Sequence, residues 1–207
     1  EKLVKNHVFF TNQEFKISGF NKLPIFKNSD LINKSINSYK LKDKDFLSFN
    51  INPTQKIILI KIKKNQSSLD IEKIGADFYS YIKSNSFSHT TFYEKNIKDS
   101  NSQSKYFFDE FIHGAELKSY EFNKYKTKNE NKIFEVDIVS QNKSFSLNKN
   151  NRFRSLIEGT NYTKDLVSEP GNILHPDEYA KRLKLLKKIG LKINVYDEKK
   201  LKKLGMN

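Results

Sequence analysis

The sequence predicts an α/β fold with a largely parallel sheet, and three observations lead there. Between residues 51 and 140 the apolar residues switch between strand and helix periods in the order strand, helix, strand, helix, strand. The run Ile57-Ile58-Leu59-Ile60 is continuous, mostly β-branched and short, which reads as a buried strand. A helix pattern followed by a strand pattern returns after Pro176.

Taken in order, Val8-Phe9-Phe10 and Phe46-Leu47-Ser48-Phe49 look like strands, and residues 29–36 form a helix that a Ser or Asp can cap. Residues 56–63 follow Pro53 and read as a strand. From Leu69 the spacing of Ile71, Ile74, Phe78, Tyr81 and Ile82 becomes helical, with Ser68 or Asp70 able to cap the start. His89 to Tyr93 is a short strand. Residues 105–122 form a helix with a broad apolar side that includes Phe107, Phe108, Phe111, Ile112 and Ala115. Gly114 lies inside it, where glycine costs about 1 kcal/mol relative to alanine. Close approach of another backbone would be one reason to tolerate that.

Residues 133–139 alternate as a strand, and residues 141–151 are a polar candidate linker. Residues 152–167 read as a helix, which Pro170-Gly171 ends. Pro176 opens the next helix, with Asp177 and Glu178 matching its positive end. That helix runs to about Ile189 and stops at Gly190. Residues 191–196 alternate as a strand, Asp197 caps a last short helix over residues 198–204, and Gly205 closes it.

The chain of 207 residues has room for one large domain, or one domain and part of another. Cysteine is absent, which excludes disulfides and thiolate metal sites. Residues 1–5 lead into no long apolar run, so they do not read as a secretory signal, and no segment is apolar enough to cross a bilayer. A formal net charge of +14 can mark a nucleic-acid footprint. However, only Arg152, Arg154 and Arg182 are arginines, and arginine is the preferred residue for bidentate phosphate and base contacts. Abundant Lys, Asn and Ile is the composition an AT-rich genome writes on any surface, and this reading is favoured.

The chain becomes specific near its end. Residues 165–176 read D-L-V-S-E-P-G-N-I-L-H-P, followed by Asp177-Glu178-Tyr179-Ala180, and residues 197–206 read D-E-K-K-L-K-K-L-G-M. Upstream, residues 114–127 read G-A-E-L-K-S-Y-E-F-N-K-Y-K-T. These blocks resemble the leucyl aminopeptidase (cytosol aminopeptidase) family, which reads D-L-V-N-x-P-x-N-x-L-T-P, D-E-x-x-L-x-x-L-G-M and G-A-x-L-x-x-Y-x-F-x-x-Y-K-T at the corresponding places. Ser168 and His175 depart from the usual Asn and Thr. Residues 1–50 carry little of the resemblance.

The resemblance implies a macro-like N-terminal α/β domain over residues 1–147. It implies a helical hinge and the incomplete start of an α/β peptidase domain over residues 148–207. It further implies a cytoplasmic, hexameric metalloaminopeptidase that uses two divalent ions, manganese or zinc, to release N-terminal residues from peptides. The family holds those metals through V-G-K-G-x-x-F-D-S-G-G and N-T-D-A-E-G-R segments, and neither occurs in this sequence. No catalytic, metal-binding or substrate-binding residue is therefore expected here.

The remaining candidates read as structural. Asp197-Glu198 are ordinary residues for a helix start. His7, His89, His113 and His175 show no ligand spacing, and His113 reads as a core or boundary residue. Tyr120, Phe122 and Tyr125 read as packing residues at the end of the long helix. No G-x-S-x-G elbow or G-x-x-x-x-G-K-[ST] loop is present. The alternative reading is a non-catalytic basic module for nucleic acid or a nucleotide.

Overall fold

The computed structural model describes residues 5–19, 27, 29–38, 45–87, 89–100, 106–127, 135–140 and 151–206. The strands are β1 (Lys5–Thr11), β2 (Phe46–Asn52), β3 (Gln55–Lys61), β4 (His89–Tyr93) and β5 (Glu135–Val139). The α-helices are α1 (Ser29–Ser38), α2 (Ser68–Ser84), α3 (Glu94–Ser100), α4 (Phe107–Ser119), α5 (Asn151–Ser168), α6 (Pro176–Leu185) and α7 (Glu198–Lys203). The chain divides into two compact units, Glu1–Glu158 and Gly159–Asn207, with the division falling inside α5.

The first unit is an α/β domain. Its sheet runs β2-β3-β1-β4-β5. β1 pairs in parallel with β3 and β4, and β4 with β5. Only β2 runs against its neighbour, because the tight turn at Pro53-Thr54 joins it directly to β3. The sheet is therefore mixed, with its other pairings parallel, within the mainly parallel or mixed sheet expected. The predicted order over residues 51–140 appears as β3, α2, β4, α4, β5, with α3 added. The seven-residue α3 is too short to show a helical period, and the sequence reading passed over it.

Both faces of the sheet are covered. Val8, Phe10, Ile58, Ile60 and Phe92 meet Ile71, Phe78 and Ile82 of α2 and Phe107, Phe108 and Phe111 of α4. Phe10 is the hub, with edge-on contacts to Phe107 and Phe111 at 4.9 and 5.0 Å between ring centres. On the other face Phe9, Ile57, Leu59 and Tyr93 meet Phe15 and, from α1, Ile32 and Ile36. Ile57 to Ile60 are wholly buried, as a central strand requires. Phe15 is held at φ 59° in a loop whose turn is closed by Asn12 Oδ1, which accepts from the Glu14 and Lys16 amides. Burial of the ring offsets the ~1–2 kcal/mol that this left-handed backbone costs.

α2 and α4 meet backbone to backbone. A Cβ on Gly75 would lie 2.8 Å from the Phe111 carbonyl carbon and overlap its oxygen. A Cβ on Gly114 would lie 2.6 Å from the Glu72 carbonyl carbon and overlap that oxygen. The close approach that the sequence hinted at for Gly114 is real, and Gly75 is its counterpart.

Helix ends differ in detail from the reading. Ser67, not Ser68 or Asp70, is the N-cap of α2: its hydroxyl accepts from the Asp70 amide, and Asp70 returns the bond to the Ser67 amide. Ser68 is already helical and donates its hydroxyl to Glu110 instead. α4 stops at Ser119, because Tyr120 turns to φ −57°, ψ 130°. Tyr120, Phe122 and Tyr125 therefore lie past the helix. Phe122 stands 5.8 Å from Tyr125, but Tyr125 is half exposed, so it is not a core residue. Ile133, Phe134 and nearly all of the candidate linker lie outside the described residues.

The second unit is helical. α6 gives way at Leu186–Ile189 to a 3-10 turn closed by Gly190 at φ 91°. Asp197 caps α7 by accepting from the Lys200 amide at 2.8 Å, which is the capping role its place in the sequence predicts. The strand expected over residues 191–196 does not form. Its alternation is present, but no strand among the described residues of this unit offers hydrogen-bond partners, and a lone strand is not stable in water.

Candidate functional site

An open α/β sheet offers a crevice where neighbouring parallel strands send their connections opposite ways. Here that point lies between β1, whose chain leaves toward β3, and β4, whose chain leaves toward β5. Asn96 of α3 fills it. Its Oδ1 accepts from the Phe10 amide at 2.8 Å, and its Nδ2 donates to the Phe10 carbonyl at 3.0 Å and the Ser18 carbonyl at 3.3 Å. Beside it, buried Glu94 accepts from Lys98 and from Ser140. The polar groups at the crevice thus bond the chain to itself.

The four histidines are placed separately, three of them engaged within the first unit. His7 of β1 is buried, with its Nδ1 2.8 Å from the Tyr93 hydroxyl. Burial, then the charge of Lys5, holds this imidazole below the ordinary histidine value, and burial raises the Tyr93 phenol. Both groups are therefore neutral at pH 7. His89, at the start of β4, lies between two carboxylates of β5, with Nδ1 3.0 Å from Glu135 and Nε2 3.0 Å from Asp137. His113 of α4 is buried, bonds Glu72 of α2 through Nδ1 at 3.0 Å, and lies 5.1 Å from the Phe153 ring. It is a buried core residue, one of the two placements its sequence position suggested, and its Nε2 is buried without a hydrogen-bond partner among the described residues. His175 precedes α6 and makes no side-chain cap bond.

In the second unit the turn between α5 and α6 is tied down by ion pairs that sequence spacing does not reveal. Arg182 of α6 donates through Nη1 to Glu169 at 2.8 Å and through Nε to Glu178 at 3.1 Å. Its carbonyl accepts from the Tyr162 hydroxyl at 3.1 Å. The Glu169 side chain is nearly fully buried. Hydrogen bonding to Arg182 holds the Glu178 carboxyl below its ordinary value. A carboxylate and a guanidinium thirteen positions apart follow no helical or strand period, so only the folded chain brings them together.

Among the described residues no group of three or more His, Asp or Glu side chains could hold a metal ion. The clustered carboxylates face cations instead: Glu169 and Glu178 face Arg182, and Glu198 faces Lys202 at 2.7 Å. Among the described residues this donor set does not fit a two-metal centre.

No protein-family model matches the chain. Individual proteins do. A probable cytosol aminopeptidase of Phytoplasma mali (strain AT) is 41% identical over 103 residues, which is 47% of this chain and 21% of the relative. A probable cytosol aminopeptidase of Phytoplasma australiense is 37% identical over 100 residues, and one of Aquifex aeolicus (strain VF5) is 39% identical over 95 residues. These two matches cover 20% and 19% of their relatives, so the chain spans about a fifth of the curated relatives it matches.

Among solved structures, a tomato leucine aminopeptidase mutant matches 99% of this chain and 44% of its own, with a TM-score of 0.65 at 16% identity. The bottromycin maturation enzyme BotP matches 98% of this chain and 41% of its own, with a TM-score of 0.63 at 14% identity. Over nearly half its length the chain is similar in sequence to proteins named cytosol aminopeptidases, and over nearly all of it its fold is similar to that of a leucine aminopeptidase.

Proposed function

We propose that this chain is the N-terminal portion of a metal-dependent leucyl aminopeptidase, and that it serves structure and assembly rather than chemistry. Residues 1–147 act as the N-terminal domain, and residues 148–207 as the hinge and opening unit of the peptidase domain. The whole protein releases N-terminal amino acids from peptides, works in the cytoplasm and assembles as a homohexamer. Its two divalent ions, manganese or zinc, polarise the scissile carbonyl and activate water. They are held by segments other than those described here.

The observation that supports this best is the pair of motif blocks at residues 114–127 and 165–206, together with 41% identity to an aminopeptidase. The test is direct. The purified 207-residue chain, given Mn²⁺ or Zn²⁺, releases no chromophore from leucine p-nitroanilide. Metal-dependent turnover by a clean preparation overturns the reading.

The charge of +14 favours a second reading, a basic module for nucleic acid. Two of the three arginines are already paired with carboxylates, Arg154 with Glu158 and Arg182 with Glu169 and Glu178, which weighs against it. Site-specific DNA binding whose logarithmic affinity falls with log salt by about 0.9 per phosphate contacted would support it.

A further inference from the structure

Among the described residues β5 is the outermost strand of the sheet and pairs with β4 alone. Its Val136 and Ile138 pack, partly buried, against the α2–α4 side of the core. Glu135 and Asp137 alternate with them and so belong to the opposite face. There they stand on either side of His89 of β4. The two carboxylate side chains are 62% and 65% exposed, and the imidazole between them is 21% exposed.

Each ring nitrogen of His89 lies 3.0 Å from a carboxylate oxygen, Nδ1 from Glu135 and Nε2 from Asp137. An ionised carboxylate only accepts hydrogen bonds, so each contact needs an N–H on the ring. Neutral imidazole has one N–H and one lone pair. It can serve one carboxylate and turns its lone pair on the other. Only the imidazolium, donating from both nitrogens, satisfies the two contacts together. Histidine is the side chain that changes between these forms in the neutral pH range.

The surrounding charges leave this count unchanged. β1 pairs Asn6 with Thr90 and His7 with Thr91, which sets Lys5 beside His89. Lys5 is exposed, and His7 is held neutral against Tyr93. α3 follows β4, but its Glu94 is engaged by Lys98 and Ser140, and its Lys95 by Asp99. α1 meets this face of the sheet through Ile32 and Ile36, and α2 and α4 pack on the other face.

We propose that His89 is a pH-operated clasp for the edge strand. As imidazolium it ties both Glu135 and Asp137 to β4. On losing a proton it lets one carboxylate go, and β5 loosens. The sign is opposite to that of His7: the clasp supports β5 at low pH, and this support fades as pH rises through the histidine range.

Amide hydrogen exchange of the 207-residue chain, corrected for the intrinsic pH dependence of exchange, tests the clasp. Protection of residues 136–139 is read relative to Ile57 to Ile60 of β3, which removes any effect on the stability of the whole unit. From about pH 5.5 to about pH 8.5 this ratio should fall by about threefold or more, the size expected of two solvent-screened contacts. His89→Gln should hold the ratio at its high-pH level throughout. Asp137→Asn should also abolish the pH dependence, because a single carboxylate needs a single N–H. Nitrogen-15 spectra of the unaltered chain need no variant: both His89 nitrogens should carry protons at about pH 5.5 while residues 135–139 stay paired. A flat ratio in the unaltered chain overturns the clasp. So does a pH dependence that survives in either variant, or a ring with only one N–H at the low pH.

Discussion

His7 illustrates what burial does to a single group. In the unfolded chain its imidazole titrates near the ordinary value of about 6.5. Folded, it is held lower by desolvation and by Lys5. Above pH 6.5 neither state carries the proton there and His7 leaves stability unchanged. As pH falls below that value the unfolded chain binds a proton that the folded chain refuses, so stability declines. The urea midpoint should therefore drop between pH 7.5 and 5, and His7→Gln should flatten part of that slope. Arg182 is the other residue whose loss should register. Arg182→Ala removes a charged partner of the buried Glu169 carboxylate and should cost about 1–3 kcal/mol. Arg182→Lys should recover only part of this, because an ammonium cannot reproduce the fork that reaches Glu169 and Glu178 together. Thermal melting of the three proteins checks the order.

Helices separate two kinds of glycine. Gly75 and Gly114 carry no side chain because the other helix's backbone occupies the space, whereas Gly159 in α5 faces nothing within 4 Å. Alanine favours any helix by about 1 kcal/mol over glycine. At Gly159 that preference acts alone, and Gly159→Ala should stabilise by about 0.5–1 kcal/mol. At Gly75 and Gly114 the clash dominates, and alanine should destabilise by about 1–3 kcal/mol or more. Chemical denaturation gives both signs. Elements with a clear period and a partner inside the chain were legible in the sequence: β3, α2, β4 and the buried face of α4 fall where Ile57 to Ile60 and the later aromatic stripes put them. What depended on partners was not legible. The alternation at residues 191–196 promises a strand but cannot supply the neighbour that would make it one. The Asn96 bridge and the Glu169–Arg182 pair join positions that share no period. Residues 114–127 and 165–206 carried the resemblance to aminopeptidases, while the polar clusters among the described residues hold the chain together.

At the scale of the molecule the two units are unequal. The first contains nearly all the described buried residues, on two faces of one sheet, and the second contributes only two. A small body with so little buried surface has little stability of its own. Brief trypsin treatment should therefore cut among the exposed lysines 184–203 before it cuts within β1 to β4, and mass analysis of the first fragments checks this. The α2–α4 contact has a wider meaning for how such a chain can drift. Its composition leans toward lysine, asparagine and isoleucine, and it retains only seven glycines. Glycine codons all begin with two guanines, so mutational pressure toward A and T erodes them wherever a side chain can be accommodated. Positions 75 and 114 have no such room. A randomised library at these two codons, selected only for soluble protein, should return glycine at both, while position 159 diversifies.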